Sequence, residues 1–299
     1  MTPPPPERVN WAETRRRVSY RLQFLALVAV SWLLRLLGID ASSRLMGLAW
    51  RVFAPFNKRH ARADAHLAAA FPEKSAEERR RILGDMWENL GRTAAETILL
   101  PQLLAEPERI AYDTSAAQLE QARGGAVFVS LHYGNWEVVA EPLRRAGLDL
   151  VAVYKPLRNP AAETWLLDRR RSLYAAGLLP LDRWTGIKLR TLARGGATLA
   201  VLGDLHDHLA IPVPFFGRLA GGNPFPATLA RRLGLPLFVG RATRVGGARF
   251  RLDGHWVEVP KTDDEKADVL AATTAVHAAF EAWIREHPAQ WMWAHRKWL

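Results

Sequence analysis

Residues 124–137 read GGAVFVSLHYGNWE, and the rest of the chain is interpreted from them. Ala126–Leu131 is a short apolar run rich in β-branched residues, preceded by Gly124 and Gly125. That is the pattern of a strand covered on both faces. His132 stands at its carboxyl end. Gly134 and Asn135 supply a turn, and a helix is expected from about Trp136, with Glu137 in its first turn.

The same texture repeats downstream. Leu150–Tyr154, Ala197–Leu202 and Leu237–Ala242 read as further buried strands. Helices are expected over Pro160–Ala176, Gly186–Arg194, Pro224–Leu233 and Asp263–Glu286, and an edge hairpin over Ala248–Leu252 and Trp256–Val259. Strands alternating with helices predict an α/β fold. Its sheet is mixed, mostly parallel, and flanked by helices on both faces. Upstream the chain is helical in character, and Ser75-x-x-Glu78 is a capping box that opens a helix through Glu96. Three regions follow: a Pro-rich and basic lead-in (1–19), a helical region (20–120) and an α/β core (121–299).

Tyr20–Gly38 (YRLQFLALVAVSWLLRLLG) is the longest apolar stretch. Its uncharged run, Leu22–Leu34, is shorter than the ~20 residues that a comfortable span needs. Arg21 and Arg35 flank it and can snorkel. A membrane-spanning anchor, a helix lying in the interface and a buried helix of a soluble protein all fit. No small-residue cleavage site closes the run, which argues against a signal peptide.

The 299 residues carry 41 Lys+Arg against 30 Asp+Glu, a net charge of +11, which favours anionic partners. The absence of cysteine excludes disulfides, thiolate metal sites and a cysteine nucleophile. There is no GxGxxG, P-loop or GxSxG signature, and no helix-turn-helix or aromatic-basic RNA motif, so no nucleic-acid partner is expected.

Chemistry is expected where strands end. His132 and Glu137 place an imidazole and a carboxylate at one strand-to-helix corner. A general base with its acid partner fits, and so does a hydrogen-bonded turn histidine with a helix-dipole carboxylate. Gly203–Leu209 (GDLHDHL) gathers Asp204, His206, Asp207 and His208. Substrate positioning, a solvated loop and metal ligation compete there, although the spacing matches no zinc motif. Lys155, Arg158 and Arg169–Arg171 suit phosphate recognition or a solvated basic face. Val213–Gly217 (VPFFG), with Phe215 and Phe216, fits an acyl-channel lining or a core plug equally well. Trp291, Trp293, His295, Arg296, Lys297 and Trp298 form an aromatic-basic tail.

Taken in order, HYGNWE, YKPLRNP, GDLHD, VPFFG and PAQWMWAHRKW resemble the bacterial lipid A late acyltransferases, from about Arg35 to the end. The resemblance implies a membrane-associated enzyme on the cytoplasmic face of the inner membrane. It would move an acyl chain from acyl carrier protein, or from CoA, to a hydroxyl of a phosphorylated glycolipid, without a cofactor. It further implies His132 as general base with Glu137 as its partner. Asn135, Lys155, Arg170, Asp204, Phe215 and Phe216 fall on the substrate side, and no metal is expected. Backbone N–H groups near Gly134 are candidate oxyanion donors. Departures from the family pattern at Lys155, Gly203 and Gly221–Pro226 leave acyltransfer to another glycolipid or lysophospholipid open. A metallohydrolase on Asp204, His206, Asp207 and His208 is the remaining alternative.

Overall fold

A computed structural model describes residues 11–113, 115–205 and 209–298; residues 1–10 and the loop residues His206, Asp207 and His208 lie outside that range. The chain starts with a long helix, α1 (Trp11–Phe53), which begins nine residues before the expected start at Tyr20 and bends at Gly38 (φ +75°). Two more helices follow, α2 (Arg59–Ala70) and α3 (Ala76–Ile98). The expected capping box opens α3: Glu78 N–H donates to Ser75 Oγ at 3.2 Å, and Ser75 N–H to Glu78 Oε2 at 2.8 Å. Short α4 (Leu100–Ala105) leads to an edge strand, β1 (Ile110–Tyr112), and short α5 (Ala116–Gln121) to β2 (Val127–Ser130).

The α/β region continues with α6 (Glu141–Arg145), β3 (Leu150–Tyr154), α7 (Pro160–Arg170), β4 (Gly177–Pro180), α8 (Thr185–Arg194) and β5 (Thr198–Leu202). It closes with β6 (Ile211–Phe215), β7 (Arg218–Gly222), α9 (Phe225–Leu233), β8 (Leu237–Gly246), β9 (Arg249–Val257) and α10 (Glu265–Glu286). Seven strands form one sheet in the order β1-β9-β8-β2-β5-β3-β4. All neighbours are parallel except β8 and β9, so the sheet is mixed and mostly parallel. The two runs expected as an edge hairpin are one continuous strand, β9, paired to β8.

Strand alternation divides the core. Val127 and Val129 face one buried cluster with α3, α8, α9 and α10, whereas Phe128 faces the other with α1, α4 and α6. Leu67, Leu83, Met86 and Trp87 belong to the first cluster, so the N-terminal helices share a core with the sheet. The α1–α3 crossing is close because Gly91 lacks a side chain: a Cβ there would sit 2.4 Å from the Met46 carbonyl oxygen.

Val213–Gly217 lies in a β-hairpin, β6–β7, and Phe216 (φ +53°) and Gly217 (φ +69°) form its two-residue turn. Positive φ at both positions is the turn geometry that matches strand twist. Phe216 tolerates it because its ring is pinned edge-on against Phe71 (5.3 Å) and Trp293 (5.8 Å).

Candidate active site

The site is built by adjacent strands. β2 and β5 pair in parallel with Ser130 opposite Leu202. Two residues further along each strand stand His132 and Asp204, so the register itself brings them side by side. His132 Nδ1 lies 2.8 Å from Asp204 Oδ1, and the His132 backbone N–H donates to Asp204 Oδ2 at 3.1 Å. A third donor comes from the tail: Trp291 Nε1–H reaches the same Oδ2 at 2.9 Å.

Asp204 is 1% exposed. Burial alone would raise its pKa, but the neighbouring imidazole and these N–H bonds hold the carboxyl well below the usual carboxylate range. An ionised Asp204 accepts the proton on Nδ1 and leaves Nε2 as the free lone pair. No hydrogen bond engages Nε2 among the described residues. The ring is flanked by Trp136 (5.1 Å between centroids) and His295 (5.8 Å).

Those two rings also line a cleft of ≈ 300 Å³, together with Trp50, Arg59, Trp87 and Met292. Three tryptophans make it mainly apolar. His295 is held down to about 4, first by burial and then by the proximity of His132, so it is neutral at physiological pH.

The expected His132–Glu137 pair does not form. Glu137 lies in a turn before α6, because the helix expected from Trp136 starts only at Glu141. Its carboxylate forms a two-pronged ion pair with Arg170, one bond measuring 2.7 Å. Burial opposes the Arg170 charge, but Glu137 more than offsets it and raises the guanidinium pKa above its usual value. The imidazole's acid partner is therefore Asp204, and Glu137 serves Arg170.

The turn after His132 is rigid. Gly134 has φ +54°, and a Cβ there would lie 1.8 Å from the Ala242 carbonyl oxygen. Its own carbonyl accepts from Asn89 Nδ2 (3.0 Å) and Thr93 Oγ1 (2.9 Å) of α3. Asn135 is fully buried, and its Nδ2 donates to Glu96 Oε2 at 2.8 Å. Arg244 neutralises Glu96, and Ser43 of α1 donates to it at 2.7 Å. Asn135 thus holds the turn through its buried amide. The expected oxyanion donors are also occupied: Gly134 N–H donates to the Gln290 carbonyl and Asn135 N–H to the Ala242 carbonyl.

The matched family settles the class of chemistry. The profile described as bacterial lipid A biosynthesis acyltransferase matches residues 10–299. The chain belongs to that family. No curated protein matches it. Members of the family are acyltransferases, so the protein is an enzyme that transfers an acyl group.

In this acyltransferase the other sequence candidates take distinct places. Lys155 is exposed on the loop after β3. Phe215 and Phe216 are buried core residues, 0% and 5% exposed, stacked among Trp291, Trp293 and Trp298, and neither lines the cleft. Of the two readings left open for VPFFG, the core plug is the observed one. Among the described residues no group of three or more His, Cys, Asp or Glu is placed to hold a metal ion. Both oxygens of Asp204 are already engaged.

Trp291, His295, Trp136, Glu96 and Arg244 escaped the sequence reading as site residues. Trp291 and His295 were visible only as an aromatic-basic tail. Glu96 and Arg244 carry no local signal, because their roles arise from contacts 148 residues apart.

Proposed function

We propose that this acyltransferase moves a fatty acyl chain from a thioester donor to a hydroxyl of a phosphorylated lipid A precursor. The donor is acyl carrier protein or CoA, and the reaction takes place at the cytoplasmic face of the inner membrane. One observation carries the reading: an imidazole whose Nδ1 is held by a buried carboxylate while Nε2 has no hydrogen-bond partner among the described residues, beside an apolar cleft. That is a general base poised for an incoming hydroxyl.

In the proposed step, Nε2 of His132 takes the proton of the acceptor hydroxyl as its oxygen attacks the thioester carbonyl. The tetrahedral intermediate collapses by breaking the carbon–sulfur bond. The departing thiolate recovers the proton from the imidazolium, and an ester remains. Asp204 stabilises the transient imidazolium. The apolar walls of Trp50, Trp87 and Trp136 suit an acyl chain, and Arg59 in the same cleft, without an ion-pair partner among the described residues, suits an anionic group on either substrate. The long apolar helix α1, with mean hydropathy 2.0 over its most apolar window, supports membrane association and access to an acceptor that stays in the bilayer.

Acyl transfer from a purified acyl donor to a lipid A precursor, read by mass spectrometry of the glycolipid, tests the proposal. His132→Ala should remain folded and lose transfer by about 10²–10⁴-fold. Wild-type turnover in that variant would overturn the assignment.

A further inference from the structure

We infer that α1 lies in the plane of the membrane surface, clamped along the domain, and does not cross the bilayer. The inference rests on the membrane association proposed above and specifies its geometry. One stripe of α1 faces the protein: Tyr20, Phe24, Leu27 and Val28 are half-buried, and Ser31 and Leu34 are buried. These positions recur with the helical period.

The surface they meet is α7. Asn159, itself buried, caps α7 by accepting the N–H groups of Ala161 and Ala162, and its Nδ2 donates to the Tyr20 carbonyl at 2.9 Å. At the other end of α7, Arg169 lies close enough to Arg35 for the two charges to repel. Tyr20 meets the start of α7 and Arg35 its end. The segment of about 22 Å between them therefore runs alongside a helix of about 16 Å, at 1.5 Å per residue.

This docking decides between the two membrane geometries. If α1 crossed the bilayer while docked, α7 would be submerged with it. That would carry the exposed Lys155, Arg158, Asp168 and Arg171 into hydrocarbon, where charged side chains are rarely tolerated. Undocked, α1 would strip Asn159 and Leu34 of their cover. Lying in the interface satisfies both sides.

The outward ridge is apolar. Leu22, Leu25, Ala29, Leu33 and Leu36, spaced 3, 4, 4 and 3 apart, are all exposed. Arg21 and Arg35 sit at one margin of that ridge, fourteen residues apart, which places their charges at headgroup level on the same side. Arg17 continues that margin towards the N-terminus, and Arg15 and Arg16 add positive charge around the same end of the helix, so an anionic phospholipid surface fits. A free interfacial helix needs a polar face, and Leu22–Leu34 has none. The domain occupies the side where that face would be. Beyond the Gly38 bend a second exposed ridge, Leu45, Leu48, Val52 and Phe56, leads towards Trp50 and Asn57 at the wall of the cleft.

The chain has no cysteine, so single cysteines can be placed cleanly. Arg16→Cys, Leu25→Cys, Leu33→Cys, Ala41→Cys and Lys261→Cys, all at exposed positions, would be expressed separately and probed in sealed membrane vesicles with an impermeant maleimide. The expected result is labelling of positions 16, 41 and 261 from one and the same side. Positions 25 and 33 should be slowed at least tenfold until detergent is added. Labelling of 16 and 41 from opposite sides would overturn the in-plane geometry while leaving membrane association intact. Rapid labelling of 25 and 33 in intact vesicles would refute membrane association itself, and the inference with it.

Discussion

Asp204→Asn is the sharpest perturbation of this site, because it changes two atoms' chemistry and almost no volume. Two N–H donors, from the His132 backbone and Trp291, converge on Oδ2, and the third contact, His132 Nδ1, meets Oδ1. An asparagine keeps both donors only by placing its amide oxygen at the Oδ2 position. Its NH2 then faces Nδ1 and turns that nitrogen into an acceptor. The single proton of a neutral imidazole moves to Nε2, the atom that has to accept a proton from the acceptor hydroxyl. A triad carboxylate lost in this way costs about 10⁴-fold in kcat, or about 5.5 kcal/mol of barrier. Steady-state acyl transfer, with product quantified by mass spectrometry, measures it. Circular dichroism and thermal melting show whether the fold has survived. A folded Asp204→Asn enzyme that keeps more than a tenth of wild-type kcat would refute the reasoning.

Four further outcomes are expected. Glu137→Gln strands the largely buried Arg170 cation and should cost about 3–5 kcal/mol of stability, and the double variant Glu137→Gln/Arg170→Met should melt higher than the single one. Trp291→Phe removes one of the two donors on Asp204 Oδ2 and should lower kcat about tenfold with KM little changed, as steady-state kinetics would report. Gly134→Ala forces a Cβ into the Ala242 carbonyl at positive φ and should destabilise the fold by about 2–4 kcal/mol in denaturant titrations. His277 is held down to about 3, by burial and then by Lys297, so the unfolded chain takes up its proton first as pH falls. Stability should drop by about 2 kcal/mol between pH 6.5 and 5 from this group alone, and His277→Gln should flatten that slope in melting curves.

The fold was largely legible because its strands are short apolar runs bounded by glycine. Leu150–Tyr154 coincides with β3, and Ala126–Leu131 brackets β2. β4 and the β6–β7 hairpin were not legible. Gly177–Pro180 is half-buried throughout, and β6 carries prolines at 212 and 214, which is possible because it pairs with β7 alone in a two-stranded sheet. The helix expected from Trp136 fails for a local reason. Asn135 turns its side chain onto the Glu137 N–H, and positive φ at Gly134 redirects the chain, so regular helix is postponed to Glu141.

His132 pairs with Asp204 and not with Glu137 because spacing along the chain is a poor guide to proximity at the end of a parallel sheet. Glu137 lies five residues from His132, but the turn between them carries it to Arg170 on α7. Asp204 is 72 residues away and adjacent, because β5 is the in-register neighbour of β2. Both loops were identified as strand ends, where ligands gather; the strand order that joins them was not available from periodicity. The same logic explains the tail. Met292 N–H bonds to the His132 carbonyl, Trp291 bridges to Tyr133, and Gln290 holds Gly134, so residues 290–292 are threaded across the turn that carries His132. A histidine acting as a general base at the end of a central strand needs a fixed tautomer and a dry surrounding, and no single local segment supplies both. Here β5 supplies the carboxylate, the tail supplies the indole that orients it, and α3 supplies the side chains that fix the turn.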